Sequence, residues 1–301
     1  MIKYISILIL SSALLFSQTD TDRPESEIAQ ADSNYSKWDF DFWLGGANAE
    51  LRRPTIEIEY GQNQANIHKD YFSSEFNENN RVLGKIGFSN YGETVAGSGY
   101  LKYKFSSLLV GNSMGDTEEL LSDGTVNSNI WTFGFNMTDG YGYKLADNFY
   151  IMLTHGSGLA WNSVSFTEEN PSLDSSDIRR LDLFEDGVKF GDRFESGIKV
   201  RMIENLGLSF TYSENLILPK HLFWHWTLGK MIEGTAHGLS SYFVSTFVDS
   251  SPALVPIVYF ILHNGISYGA NRLKEDNMNW PSSTTAPLIQ KNFNIGITVI
   301  L

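Results

Sequence analysis

The stretch Phe293-Asn-Ile-Gly-Ile-Thr-Val-Ile-Leu301 decides the fold. Phe293, Ile295, Ile297, Val299 and Leu301 fall on one side of an extended chain, and Asn292, Asn294, Gly296 and Thr298 on the other. A free strand of this kind exposes an unpaired backbone edge together with an apolar face, a combination that invites aggregation. A closed barrel in a lipid bilayer removes both hazards. The apolar face meets lipid, the small polar face meets the lumen, and the edge seals against the first strand.

The same alternation recurs upstream. Ile56, Ile58 and Tyr60 oppose Glu57 and Glu59; Val82, Ile86 and Phe88 oppose Arg81 and Lys85; Leu101, Tyr103 and Phe105 oppose Lys102 and Lys104. Trp131, Phe133, Phe135 and Met137 oppose Thr132, Gly134 and Asn136. Phe194, Ile198, Val200 and Met202 oppose Arg193, Glu195, Lys199 and Arg201, and Leu206, Leu208, Phe210 and Tyr212 oppose Gly207, Ser209, Thr211 and Ser213. Charges of both signs on the polar parity fit a polar lumen better than a second exposed sheet face. Glu57, Glu59, Arg81, Lys85, Lys102, Lys104, Arg193, Glu195, Lys199 and Arg201 are therefore expected to line it, as a salt-bridged core in a narrow barrel or a permeation path in a wider one.

Connections at 146–148 and 203–205 are short, whereas 61–80, 106–127 and 167–190 are long and polar, which sets two different ends of the barrel. The strand pattern predicts an antiparallel up-and-down β-barrel of roughly eight to ten strands. The region 40–54 offers an opening strand and 141–166 a long hairpin. From Leu218 to Lys274 the period changes to that of a helix: Trp224, Leu228, Met231, Leu239, Tyr242 and Phe243 recur at helical spacing. A second helix is expected with Ser251 as N-cap and Pro252 at its first position, its start delayed or its axis kinked by Pro256. This two-helix insertion, about 218–274, precedes the last strand and is expected to plug the lumen or cap its mouth. Gly234/Gly238 and Gly265/Gly269 supply small-residue spacings that permit close helix approach.

Ahead of the barrel, Met1-Ile-Lys3 and the apolar run Tyr4–Phe16 read as a signal peptide over 1–18, and 19–38 as a disordered acidic leader, leaving 39–301 for the barrel. With 35 acidic against 22 basic residues the net charge is −13, which argues against a nucleic-acid partner. The absence of cysteine excludes disulfides, thiol catalysis, cysteine metal sites and a lipoprotein signal. In its signal, alternating strands, loop asymmetry and terminal strand, the chain resembles bacterial outer-membrane β-barrel proteins. That resemblance implies general export, an integral outer-membrane location, lipid as surrounding partner and a monomer. It implies no cofactor.

Two constellations carry possible chemistry. His221, His225, Glu233 and His237 are spaced by multiples of four, a step that advances only about 40° on a helix, so they share one broad face suited to a metal ion. His155-Gly-Ser157 places two side chains on one strand face and looks like the His-x-Ser arrangement of outer-membrane phospholipases and lipid A deacylases. That site requires a third polar group, and Leu153, Leu159 and Trp161 on the same parity are apolar. The leading expectation is a non-enzymatic outer-membrane protein, either a small or plugged channel or a structural envelope component. A lipid-modifying enzyme and a surface binding module built on the helices are the alternatives.

Overall fold

The computed structural model describes residues 52–93, 100–115, 125–167 and 173–301. The expected signal peptide, the acidic leader and most of the proposed opening strand at 40–54 lie outside them. Long strands β1 (Arg53–Ile67), β3 (Glu78–Glu93), β4 (Tyr100–Met114), β5 (Thr125–Ala146), β6 (Phe149–Thr167), β7 (Lys189–Ile203), β8 (Leu206–Ile217) and β9 (Leu288–Ile300) run in antiparallel order around a barrel. A two-residue β2 (Glu75–Phe76) lies parallel to the start of β5. The terminal stretch is β9, and it closes the barrel on β1 from Thr55↔Ile300 to Ile67↔Leu288. Register partners followed from Asp139 through His155, Ser196, Tyr212, Phe293, Gln62, Asn80 and Met114 return to β5 at Asn129, ten residues from the start. Such a stagger tilts the strands by about 35–45° and leaves an interior that side chains alone can fill.

They do fill it. At the end carrying the short turns, Tyr103, Phe105 and Met152 cluster with Tyr91 and Tyr150, and the Arg201 guanidinium lies 4.8 Å from the Tyr91 ring centre. Above this aromatic floor, Lys85 Nζ is 3.0 Å from Glu57, 2.8 Å from Glu59 and 2.8 Å from Glu195. Lys199 reaches Glu57 at 2.6 Å and Arg193 reaches Glu195 at 2.6 Å. The next layer is amides: Asn63 donates to Asn292, and Asn215 to Gln290, which in turn donates to Ser113. The end with long connections is closed by Ile67, Phe72, Phe76, Val126, Ile130, Val164 and Leu288, together with Leu181 and Phe184 from helix α1 (Ser175–Glu185).

Helix α1 starts where Asp174 caps it. The Ser176 hydrogen bonds to this carboxylate hold its pKa below the usual range. Asp177 is fully buried and accepts from Ser73 N, Ser74 N and the Ser74 hydroxyl, tying the lid to the β1–β3 connection. Gly187 takes φ +70°, the left-handed turn that leads out of α1 into β7.

Several sequence expectations are corrected. Strands extend into the expected loops, since β1 runs to Ile67 and β4 to Met114. The first insertion helix, α2 (Phe223–Ser250), begins five residues after Leu218. Ser251 and Pro252 open a 3-10 turn, Pro252–Leu254, so that α3 (Val255–Lys274) is delayed rather than kinked. Lys102 and Lys104 do not face the lumen. They are register partners of Tyr141 and Asp139, on the outer face, and Tyr103 and Phe105 take the inner one. The parity there is reversed because the lumen floor is aromatic.

The largest correction concerns the insertion, which neither plugs nor caps. Every wall residue that bonds through its side chain to α2, α3 or the turn between them has outward parity: Asp139, Tyr143, His155, Asp192 and Glu214. The hairpin leaves β8 at the long-connection end and runs down the outside of the barrel. It turns where Tyr143 donates to Ala253 O, and α3 climbs back along β5, β6 and β7.

Candidate functional site

The wall beneath the hairpin carries carboxylates on the outward parity. Continuing the lipid-facing parity of β5 past Met137 gives Asp139; that of β7 back past Phe194 gives Asp192; that of β8 past Tyr212 gives Glu214. Each has a helix partner. Tyr259 donates to Asp139 Oδ2 at 2.5 Å. Trp226 Nε1 donates to Asp192 at 2.8 Å, with Lys230 and Lys274 at 3.2 and 3.6 Å. Glu214 receives Asn271 and Arg272 at 2.9 and 2.6 Å, as well as the Tyr212 hydroxyl.

Helix α3 is built for this. Tyr259, His263, Ser267, Asn271 and Lys274 recur every three or four residues and are all buried, whereas Ile257, Ile261, Tyr268 and Leu273 are exposed. Pro252–Lys274 is long and apolar enough to cross a membrane. On α2, Trp224, Met231 and Tyr242 are among the most exposed large side chains, and Thr227, Thr235 and Thr246 bond back to carbonyls of their own helix. The polar side of the pair faces the barrel wall and the apolar side faces out.

At the middle of this interface three imidazoles meet: His155 from β6, His237 from α2 and His263 from α3. Each offers a ring nitrogen within 4.8 Å of those of the others. His237 Nδ1 and His263 Nδ1 face each other at 3.0 Å. Three of the four remaining ring nitrogens are engaged: His155 Nδ1 with Asn264 Oδ1 at 3.2 Å, His237 Nε2 with Ser267 Oγ at 3.1 Å, and His263 Nε2 with Ser241 Oγ at 3.3 Å. Tyr259 stacks on His263 at 4.1 Å, and Asp139 is the register partner of His155 on the same face.

The expected metal face does not assemble. His221 lies before the first turn of α2, so helical spacing does not apply to it, and its ring packs on Phe190 at 4.4 Å. His225 is exposed, and Glu233 is held by Lys230 and Lys274 at 3.1 and 2.9 Å. Only His237 enters the cluster. The His155–Ser157 pair does share a face, but the hydrogen bond of His155 goes to Asn264, and Ser157 is exposed on the outer wall. Of the other expected site residues, Glu57, Glu59, Arg81, Lys85, Arg193, Glu195, Lys199 and Arg201 are all buried inside the barrel. Glu57, Glu59 and Glu195 also converge, but the Lys85 ammonium occupies their centre. The sequence reading missed His263 of the cluster and, on the wall, the carboxylates Asp139, Asp192 and Glu214. The signal of these three was a carboxylate on lipid-facing parity.

No family model and no curated protein matches this chain. Among solved structures, the chain is similar to Neisserial surface protein A, with 8% identity and a TM-score of 0.37, over 82% of this chain and 97% of that one. It is also similar to Ail, the attachment invasion locus protein of Yersinia pestis, with 9% identity and a TM-score of 0.28, over 83% and 98%. Both likenesses are of strand architecture alone; the closed antiparallel barrel rests on the register of this chain. It resembles bacterial outer-membrane β-barrels.

Proposed function

We propose that this chain is a bacterial outer-membrane protein whose barrel conducts nothing and serves, without enzymatic activity, to hold the α2–α3 hairpin in the bilayer against its outer wall. The observation that carries this reading is the Lys85 ammonium, bonded to Glu57, Glu59 and Glu195 inside a lumen filled above and below. A permeating ion would have to break a network whose members have left water, and removing one partner of such a network costs about 3–5 kcal/mol. The apolar outer faces of the strands and of the hairpin support lipid as the surrounding partner and a monomer as the working state.

Planar-bilayer conductance tests this. The refolded protein, and a form lacking residues 218–274, are both expected to be silent, because the hairpin lies outside the lumen. Stable current steps from the intact protein would overturn the sealed-barrel reading. Current from the deletion alone would restore the plug.

A further inference from the structure

We propose that His155, His237 and His263 form a binding site for a divalent transition-metal ion of the zinc class, which clamps both insertion helices to the barrel wall. The reading does not rest on a sealed lumen.

The first argument is the donor set. Imidazole nitrogen suits borderline ions such as Zn²⁺, and three ligands with one open position make a recognised four-coordinate site. A tetrahedral ion with bonds of about 2.0–2.1 Å holds its nitrogens roughly 3.3 Å apart. The Nδ1 atoms of His237 and His263 already stand at 3.0 Å, and the third nitrogen is within 4.8 Å. Closing the remaining gap takes rotation of the His155 ring, whose wall position is otherwise fixed by β6.

The second argument is the outer ring of partners, and for His155 it fixes the tautomer. Asn264 Nδ2 donates to Thr154 O at 3.3 Å and Phe260 O at 2.9 Å, which turns its Oδ1 toward His155. That oxygen can only accept, so His155 carries its proton on Nδ1 and offers Nε2 as a lone pair. The hydroxyls of Ser267 and Ser241 lie on Nε2 of His237 and His263, and because a hydroxyl can accept as well as donate, they allow both Nδ1 atoms to be left to the cluster. Each of the three histidines therefore has a hydrogen-bond partner on one ring nitrogen, and such outer partners are how metal-bound histidines are oriented.

Electrostatics gives the third. Two Nδ1 lone pairs facing each other repel unless a proton or a cation lies between them. The interface is otherwise expensive ground for polar groups, because it lies at membrane depth. A dication there needs a counter-charge, and the Asp139 carboxylate supplies one on the same face as His155. The fourth coordination position falls to water or a small anion.

The test uses untagged full-length protein refolded in detergent, stripped with a chelator and titrated with Co²⁺, followed by the visible absorption of tetrahedral cobalt. One equivalent is expected to bind, and Zn²⁺ to displace it. His237→Gln and His263→Gln are each expected to weaken binding by at least about tenfold, while His221→Ala and His225→Ala leave it unchanged. The unheated-gel mobility shift shows that each variant still forms a barrel. Absence of cobalt bands in the intact protein would overturn the proposal and leave a hydrogen-bonded imidazole network. So would binding lost with His221 or His225 but kept without His237 and His263. Bilayer conductance is independent of either result.

Discussion

Tyr259 of α3 donates a 2.5 Å hydrogen bond to Asp139 of β5, and this contact fastens a helix to a wall residue that strand alternation would have pointed at lipid. Because Asp139 is a carboxylate in a water-poor interface, its partner matters more than a typical surface hydrogen bond. Tyr259→Phe keeps the ring on His263 but strips the donor, and is expected to weaken hairpin docking by about 1.5–3 kcal/mol. Faster hydrogen exchange in α3 with an unchanged gel shift would show it; unchanged exchange would mean that the contact is dispensable.

Lys85 should be the least replaceable residue of the lumen. Lys85→Met leaves Glu57, Glu59 and Glu195 around an uncharged centre, with Lys199, Arg193 and the nearby Arg81 to balance them. The expected loss is about 3–5 kcal/mol in urea unfolding followed by gel mobility. A loss below about 1 kcal/mol would place the network among weakly coupled surface pairs.

The seal is layered, so opening the lid alone should not open the barrel. Leu181→Ala empties a fully buried position under α1, and is expected to cost about 2–5 kcal/mol. Proteolysis of the 173–188 connection should quicken while planar-bilayer current stays at zero. Current in this variant would locate the only barrier in the apolar lid.

The hairpin's place in the bilayer can be read with a spin label. The chain contains no cysteine, so Ile261→Cys gives a single attachment point on the outward face of α3. The label is expected to be accessible to dissolved oxygen and shielded from a water-soluble nickel reagent. The opposite accessibility would put the hairpin in water and withdraw the lateral-membrane reading.

Asn264 separates a metal role from a packing role. Asn264→Ala removes the group that orients His155 while leaving all three imidazoles in place. Cobalt affinity is expected to fall about 10- to 100-fold, the usual effect of losing such a partner. Unchanged affinity would mean that the asparagine merely fills the interface.

Much of the barrel was legible because a strand's period of two is a local property. The alternation at Thr55–Tyr60, Trp131–Met137 and Phe293–Leu301 states which side is apolar with no knowledge of neighbours. The one parity error, at Lys102 and Lys104, has a tertiary cause: the floor of the lumen needs the Tyr103 and Phe105 rings, and long cations can reach away from an apolar face toward partners elsewhere. The two insertion helices were legible too, as was their exit from the end with long connections, whereas α1 in the 167–190 connection was not.

The sequence by itself thus determined a tilted antiparallel barrel with a polar filling and a two-helix insertion, because periodicity and turn chemistry are written in consecutive residues. Where the insertion goes was decided only in three dimensions. Asp139, His155, Asp192 and Glu214 are scattered over four strands, and their helix partners lie 34 to 120 residues away. No local pattern records that such residues share one strip of wall. The meeting of His155 with His237 and His263 follows from the barrel's stagger and the hairpin's descent, which bring distant lone pairs into one place.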